Sequence, residues 1–149
     1  MIPANDGQRR QIQPHHRLGG GSAATANPPE FDWQGAVARL GGQATTYAAL
    51  SRRFLDGVDA SLARLYPLLC EPSAAASEEA AQLLHSLRGS ALTLGAMELA
   101  EMTHVAEAAL TAPEPLERTA LLARLSDAIE RALTTLRKIV EQLEADANP

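Results

Sequence analysis

The residues most able to do chemistry sit together at His85-Ser86-Leu87-Arg88-Gly89-Ser90-Ala91. Imidazole is the one side chain whose unperturbed titration falls near neutrality, so at physiological pH His85 is largely an unprotonated nitrogen nucleophile or base. Arg88, three residues on, is a neighbour on a helix surface and offers a permanently charged fork to oxygens close to that ring. Gly89 lies one turn beyond His85. In a helix it costs up to about 1 kcal/mol relative to alanine, and close approach of another molecule to His85 gives it a reason to be there.

Those positions depend on the helix that carries them. At about 100° per residue, Ala80, Leu83, Leu84, Leu87, Ala91 and Leu94 make one apolar stripe, and His85 and Gly89 lie roughly 150° from its centre. The histidine therefore points to solvent. Ser77 is the expected N-cap, with Glu78 and Glu79 placed against the positive end of the dipole, and Gly95 is the expected end.

The other elements follow from the same arguments. Asp32 can cap a short helix to Leu40, ended by Gly41-Gly42. A long helix then carries Tyr47, Leu50, Phe54, Val58, Leu62, Leu65 and Leu69 at spacings of three and four, with a kink or a fresh final turn expected at Pro67. After Gly95 the inner face reads Leu99, Met102, Val105, Ala106, Ala109 and Leu110. The last helix, from about Pro115 to Ala145, shows Leu122, Leu125, Ile129, Ala132, Leu136, Ile139 and Leu143. Four long amphipathic helices with short joints predict an all-α protein, an antiparallel four-helix bundle (up-down-up-down) with a short extra N-terminal helix. In the hairpin around Gly95, His85 lies ten residues before the turn and Glu107 twelve after it. Both therefore stand roughly 15 to 18 Å from the turn, which makes Glu107 the candidate to face the ring.

Composition narrows the classes. Of 149 residues, 46% are hydrophobic and 3% aromatic, so the core must be aliphatic. The net charge of −5 is divided: Arg9, Arg10 and Arg17 against Asp6 leave residues 1–29 at +2 and the remainder at −7. An acidic body with a single lysine speaks against nucleic-acid binding. A single cysteine excludes an internal disulfide, and no apolar run is long enough to span a bilayer or to form a secretory signal. A cytoplasmic protein without membrane contact is expected. Residues 1–30 hold Gly19-Gly20-Gly21-Ser22, Pro28-Pro29 and no hydrophobic period, and read as a disordered linker or tail, leaving 31–147 as the folded domain. His15-His16 in that arm is a weak metal site.

The string His85-x-x-Arg88-Gly89-Ser90-Ala91, with Leu94-Gly95-Ala96 and Leu99-Ala100 after it, resembles the signature of histidine phosphotransfer (HPt) domains. Upstream, Phe31-Asp32-Trp33, Arg39-Leu40-Gly41-Gly42, Tyr47, Leu50 and Phe54 continue the likeness, which covers most of residues 31 to 143. Arg88 stands where the family most often has lysine, and Leu92-Thr93 where a small residue and asparagine are common. The resemblance implies a relay of phosphoryl groups between aspartates of response-regulator receiver domains through phosphohistidine at His85. Arg88 would balance the phosphoryl charge and Glu107 would orient the ring. Ala81, Gln82, Gly89 and Leu92 would form the docking face. It implies no kinase activity of its own and no cofactor, Mg²⁺ being expected only in the partner receiver. The partners would be receivers and a sensor histidine kinase, with a monomer expected. The chain would be free-standing or the C-terminal part of a hybrid sensor kinase.

Two other classes compete with this one. Glu101-x-x-His104 is half of a di-metal bundle motif, but position 82 is Gln and the second helix offers no inward carboxylate, so no metal site is expected. A helical docking module that carries no phosphate is compatible with the periodicity, and only the fate of His85 separates it from a phosphotransfer domain.

Overall fold

The computed structural model describes residues 31–111 and 115–148, the side chains of 115–117 apart. Among the described residues the fold is all-helical: α1 (Trp33–Arg39), α2 (Ala44–Cys70), α3 (Ala74–Leu94), α4 (Met97–Ala109) and α5 (Pro115–Ala147), without a strand. α2 packs on α3 and α5, and α4 packs on the same two helices from the other side. The expected linker, residues 1–30, lies outside the described residues.

The core lies between these four helices and is aliphatic as composition requires. Val58 and Leu65 of α2, Leu84 and Leu87 of α3, Leu99 and Met102 of α4, and Leu125 and Ile129 of α5 are all buried. A second cluster at one end joins α1 to the rest, with Ala36, Tyr47, Leu94, Leu136 and Val140 buried and Trp33 and Val37 packed on them. The Tyr47 hydroxyl donates to the Leu94 carbonyl at 2.7 Å, satisfying an acceptor that the end of α3 leaves without an intrahelical donor. Burial pushes the Tyr47 phenol up to about 12, while the neighbouring Ser51 hydroxyl pulls the other way.

The α3–α4 hairpin turns on Gly95, whose φ of +85° is the left-handed conformation that favours glycine. It is also a point of close approach. The backbone of residues 31 and 32 lies directly against it: Phe31 forms an antiparallel bridge with Ala96, and the Asp32 amide donates to the Gly95 carbonyl at 2.7 Å. Asp32 then caps α1, its carboxylate accepting from the Gly35 amide at 3.0 Å. From α1 the Arg39 guanidinium donates to the Leu92 carbonyl at 3.1 Å, a cation at the negative end of α3. The segment from 31 to 40 is thus a strap across the hairpin.

Two expectations are corrected. α3 is capped by Ser73, not Ser77: Ser73 follows Pro72 in an extended conformation, and its Oγ accepts the Ala76 amide at 3.1 Å. Three alanines then carry the helix forward before Ser77 is reached, and Ser77 accepts a hydrogen bond from Arg118 at 3.2 Å. Glu78 and Glu79 accordingly lie beyond the first turn, and Glu79 pairs with Arg64 at 2.9 Å. Leu50 is not in the core but 36% exposed, because the stripe of α2 is shared between two neighbours and its margin at Leu50 meets solvent. Pro67 lies inside α2, one turn before its end at Cys70.

Candidate functional site

His85 sits on the outer face of α3, 76% exposed, as the wheel predicts. The stripe that holds it in place is Ala80, Leu84, Leu87, Ala91 and Leu94, all buried, with Leu83 packed at the margin of the core. The ring therefore has a fixed helix beneath it and open solvent above. An added Cβ at Gly89 would meet nothing within 4 Å beyond its own helix backbone, so packing inside the domain does not demand a glycine there. The Thr93 hydroxyl donates to the Gly89 carbonyl at 2.9 Å, the back-bonding geometry that tends to bend a helix.

Glu107 of α4 is brought to His85. Its Oε2 stands 3.9 Å from Nδ1, and the glutamate is 28% exposed against the histidine's 76%. At 3.9 Å this is an electrostatic approach and not a hydrogen bond. It nevertheless singles out one nitrogen: Nδ1 faces the carboxylate, which leaves Nε2 outward. Arg88 is half-buried on α3. Its position relative to His85 turns it toward the α4 side of the ring, and it makes no hydrogen bond or ion pair among the described residues.

Of the expected docking residues, Gly89, Gln82 and Leu92 are exposed, Leu92 at 41%, while Ala81 is half-buried. Gly89 alone of these lines the cleft that opens beside His85. That cleft, of about 570 Å³, runs along the seam between α2 and α3 and is walled by Leu50, Arg53 and Phe54 on one side and His85, Ser86, Gly89, Ser90 and Thr93 on the other. The contribution of α2 was not legible beforehand, because periodicity fixes the angle of a residue on its own helix and not which neighbouring edge it meets. Glu101 and His104, the half motif for metal, are both exposed, and no group of three or more potential metal ligands gathers among the described residues. No helix among those residues is long and apolar enough to cross a membrane.

Fold and site together define a helical domain that carries an exposed imidazole on an outer helix face. The family model for the Hpt domain matches residues 49–146, and the chain belongs to this family, whose members are phosphotransfer modules of His-Asp phosphorelays. The matched segment holds all of α3, α4 and the site, but the strap from Phe31 to Leu40 precedes it. Comparison with curated proteins and with solved structures gave no match.

Proposed function

We propose that residues 31–147 form an antiparallel four-helix HPt bundle in which His85 takes a phosphoryl group from a phospho-aspartate on one receiver domain and passes it to another. The observation that carries this reading is the His85–Glu107 pair on a solvent-facing helix, with Nδ1 toward the carboxylate at 3.9 Å and Nε2 outward. A ring with its proton on Nδ1 attacks phosphorus through the Nε2 lone pair. The N–P bond forms, the acyl P–O bond breaks, and the receiver's aspartate leaves with the electron pair as a carboxylate. The ring then carries positive charge with Nδ1–H directed at Glu107, which stabilises it by charge and holds the tautomer. Reversal of the step on a second receiver discharges the histidine.

Arg88 balances the two or so negative charges that the phosphoryl group brings. The domain's contribution is chiefly positioning. Mg²⁺ belongs to the receiver and no cofactor to this chain. The docking face is the outward surface of α3 around Ala81, Gln82, Gly89 and Leu92, extended by Leu50 and Phe54 of α2. The partners are receiver domains and a sensor histidine kinase, the working state is a monomer, and the compartment is the cytoplasm, where such relays operate on soluble receivers.

Incubation with a phosphorylated receiver tests this. Acid-labile, base-stable phosphate should appear on the wild type and be absent from His85→Gln, with equal helical content by circular dichroism. Glu107→Gln should retain label but acquire it more slowly. A folded wild type that takes no label from several receivers would replace this reading by that of a docking module.

A further inference from the structure

The cleft beside His85 has a chemical character of its own. Its α2 wall presents the Arg53 guanidinium, and its α3 wall presents the hydroxyls of Ser86 and Ser90. The same three side chains also line an adjoining cleft of about 220 Å³ that continues along the seam. Neither cleft has a carboxylate in its wall.

Most guanidinium groups of the described chain are engaged. Arg52 pairs with Glu144, Arg64 with Glu79 and Arg131 with Glu98. Arg39, Arg118 and Arg124 each donate to a neighbour. Arg53, Arg88 and Arg137, by contrast, make no hydrogen bond or ion pair among the described residues, and neither do Ser86 and Ser90; of these arginines Arg137 lies on α5, away from the cleft. In a chain of net charge −5, two uncommitted guanidinium groups thus flank one exposed imidazole, Arg88 on its α4 side and Arg53 across the α2 seam. A wall of unengaged donors without an acceptor carboxylate suits an oxyanion.

We propose that Arg53 is a second phosphoryl-binding residue, whose guanidinium holds the non-transferring oxygens of the group on His85 from the side opposite Arg88, with Ser86 and Ser90 as supporting donors. This rests on the phosphoacceptor reading of His85. It adds to that reading a contact from another helix, so that α2 takes part in the transfer step as well as in the core. Arg53 is exposed, so its replacement leaves the packing intact.

Phosphoramidate, a small phosphoryl donor, loads the histidine without any partner protein and separates this role from receiver docking. Wild type, Arg53→Ala, Arg53→Lys and His85→Gln are loaded in parallel, and the phosphoryl group is titrated by ³¹P NMR. Arg53→Ala should slow loading about two- to five-fold, as loss of a solvent-accessible charge contact implies. It should also raise the phosphoryl titration midpoint by about half a pH unit, since a nearby cation favours the dianion. Arg53→Lys should fall between, keeping charge without the fork. An Arg53→Ala domain that matches the wild type in loading and in titration overturns the proposal. So does one that matches in both but fails to accept phosphoryl from a receiver, which would make Arg53 a contact to the receiver. Failure of the wild type itself to load would overturn the phosphoacceptor reading, and the role of Arg53 with it.

Discussion

Replacing Gly95 by alanine measures how tightly the N-terminal strap is pressed on the α3–α4 hairpin. Two costs arise there. The left-handed conformation at φ +85° disfavours a residue with a Cβ by about 1 to 2 kcal/mol, of which about 0.4 to 1 is recovered because alanine has fewer unfolded conformations. The second cost is local: the new Cβ would press on the Asp32 carbonyl oxygen, with its carbon at 2.7 Å and the Trp33 amide nitrogen at 3.2 Å. These are backbone atoms and cannot rotate away, so the strap must back off. That sacrifices the bond from the Asp32 amide to Gly95, about 1 kcal/mol, and part of the burial around Ala36 and Trp33, about 1 kcal/mol more. The sum is about 3 kcal/mol. Gly41 supplies the control, having φ +88° and nothing within 4 Å of an added Cβ, so Gly41→Ala should cost about 1 kcal/mol or less. Urea unfolding followed by circular dichroism and by Trp33 fluorescence reads both variants. With a slope of about 1 to 3 kcal/mol per molar urea, the midpoint of Gly95→Ala should fall at least about 1 M below wild type and clearly below Gly41→Ala. Equal midpoints for the two variants would refute the close approach of strap and hairpin.

Two further outcomes are expected. Tyr47 is neutral in the fold with its phenol raised to about 12, so its contribution is complete below pH 10, the usual phenol value, and is lost as pH rises from about 10 to 12. Stability measured by urea should fall over that window by about 2 kcal/mol more in wild type than in Tyr47→Phe, and below pH 9 that variant should itself be about 1 to 2 kcal/mol weaker for leaving the Leu94 carbonyl without its donor. Ser73→Ala should cost about 1 kcal/mol of thermal or urea stability by removing the cap of α3, whereas Ser77→Ala should cost less than about 0.5 kcal/mol.

What could be read from the sequence was whatever depends on one helix or one turn. Asp32 as a cap, Gly41-Gly42 and Gly95 as terminators and the outward direction of His85 are local consequences of residue type and period, and the structure has them. The pairing of His85 with Glu107 was reachable because a tight hairpin converts residue counts into heights along two helices. The cap of α3 was missed because two serines four residues apart compete for it. Pro72, which holds the chain extended before Ser73, decides between them. The exposure of Leu50 and the place of Arg53 in the wall of the His85 cleft share a cause: both lie at the seam where α2 meets α3, and period alone does not say which edge of a stripe a neighbour covers. The bridge from Phe31 to Ala96 joins positions far apart in the chain and leaves no mark on local pattern.

The strap has a consequence for how this domain is tethered. Phe31 meets the hairpin at Ala96, and the last turns of α5 close against the start of α2 at the same end, where Glu144 pairs with Arg52 at 2.8 Å. The chain therefore comes into the domain and leaves it at one pole. His85, ten residues from Gly95 along α3, lies only about 15 Å from that pole. A partner joined to the domain at that pole would need to reach only this distance to stand over the imidazole.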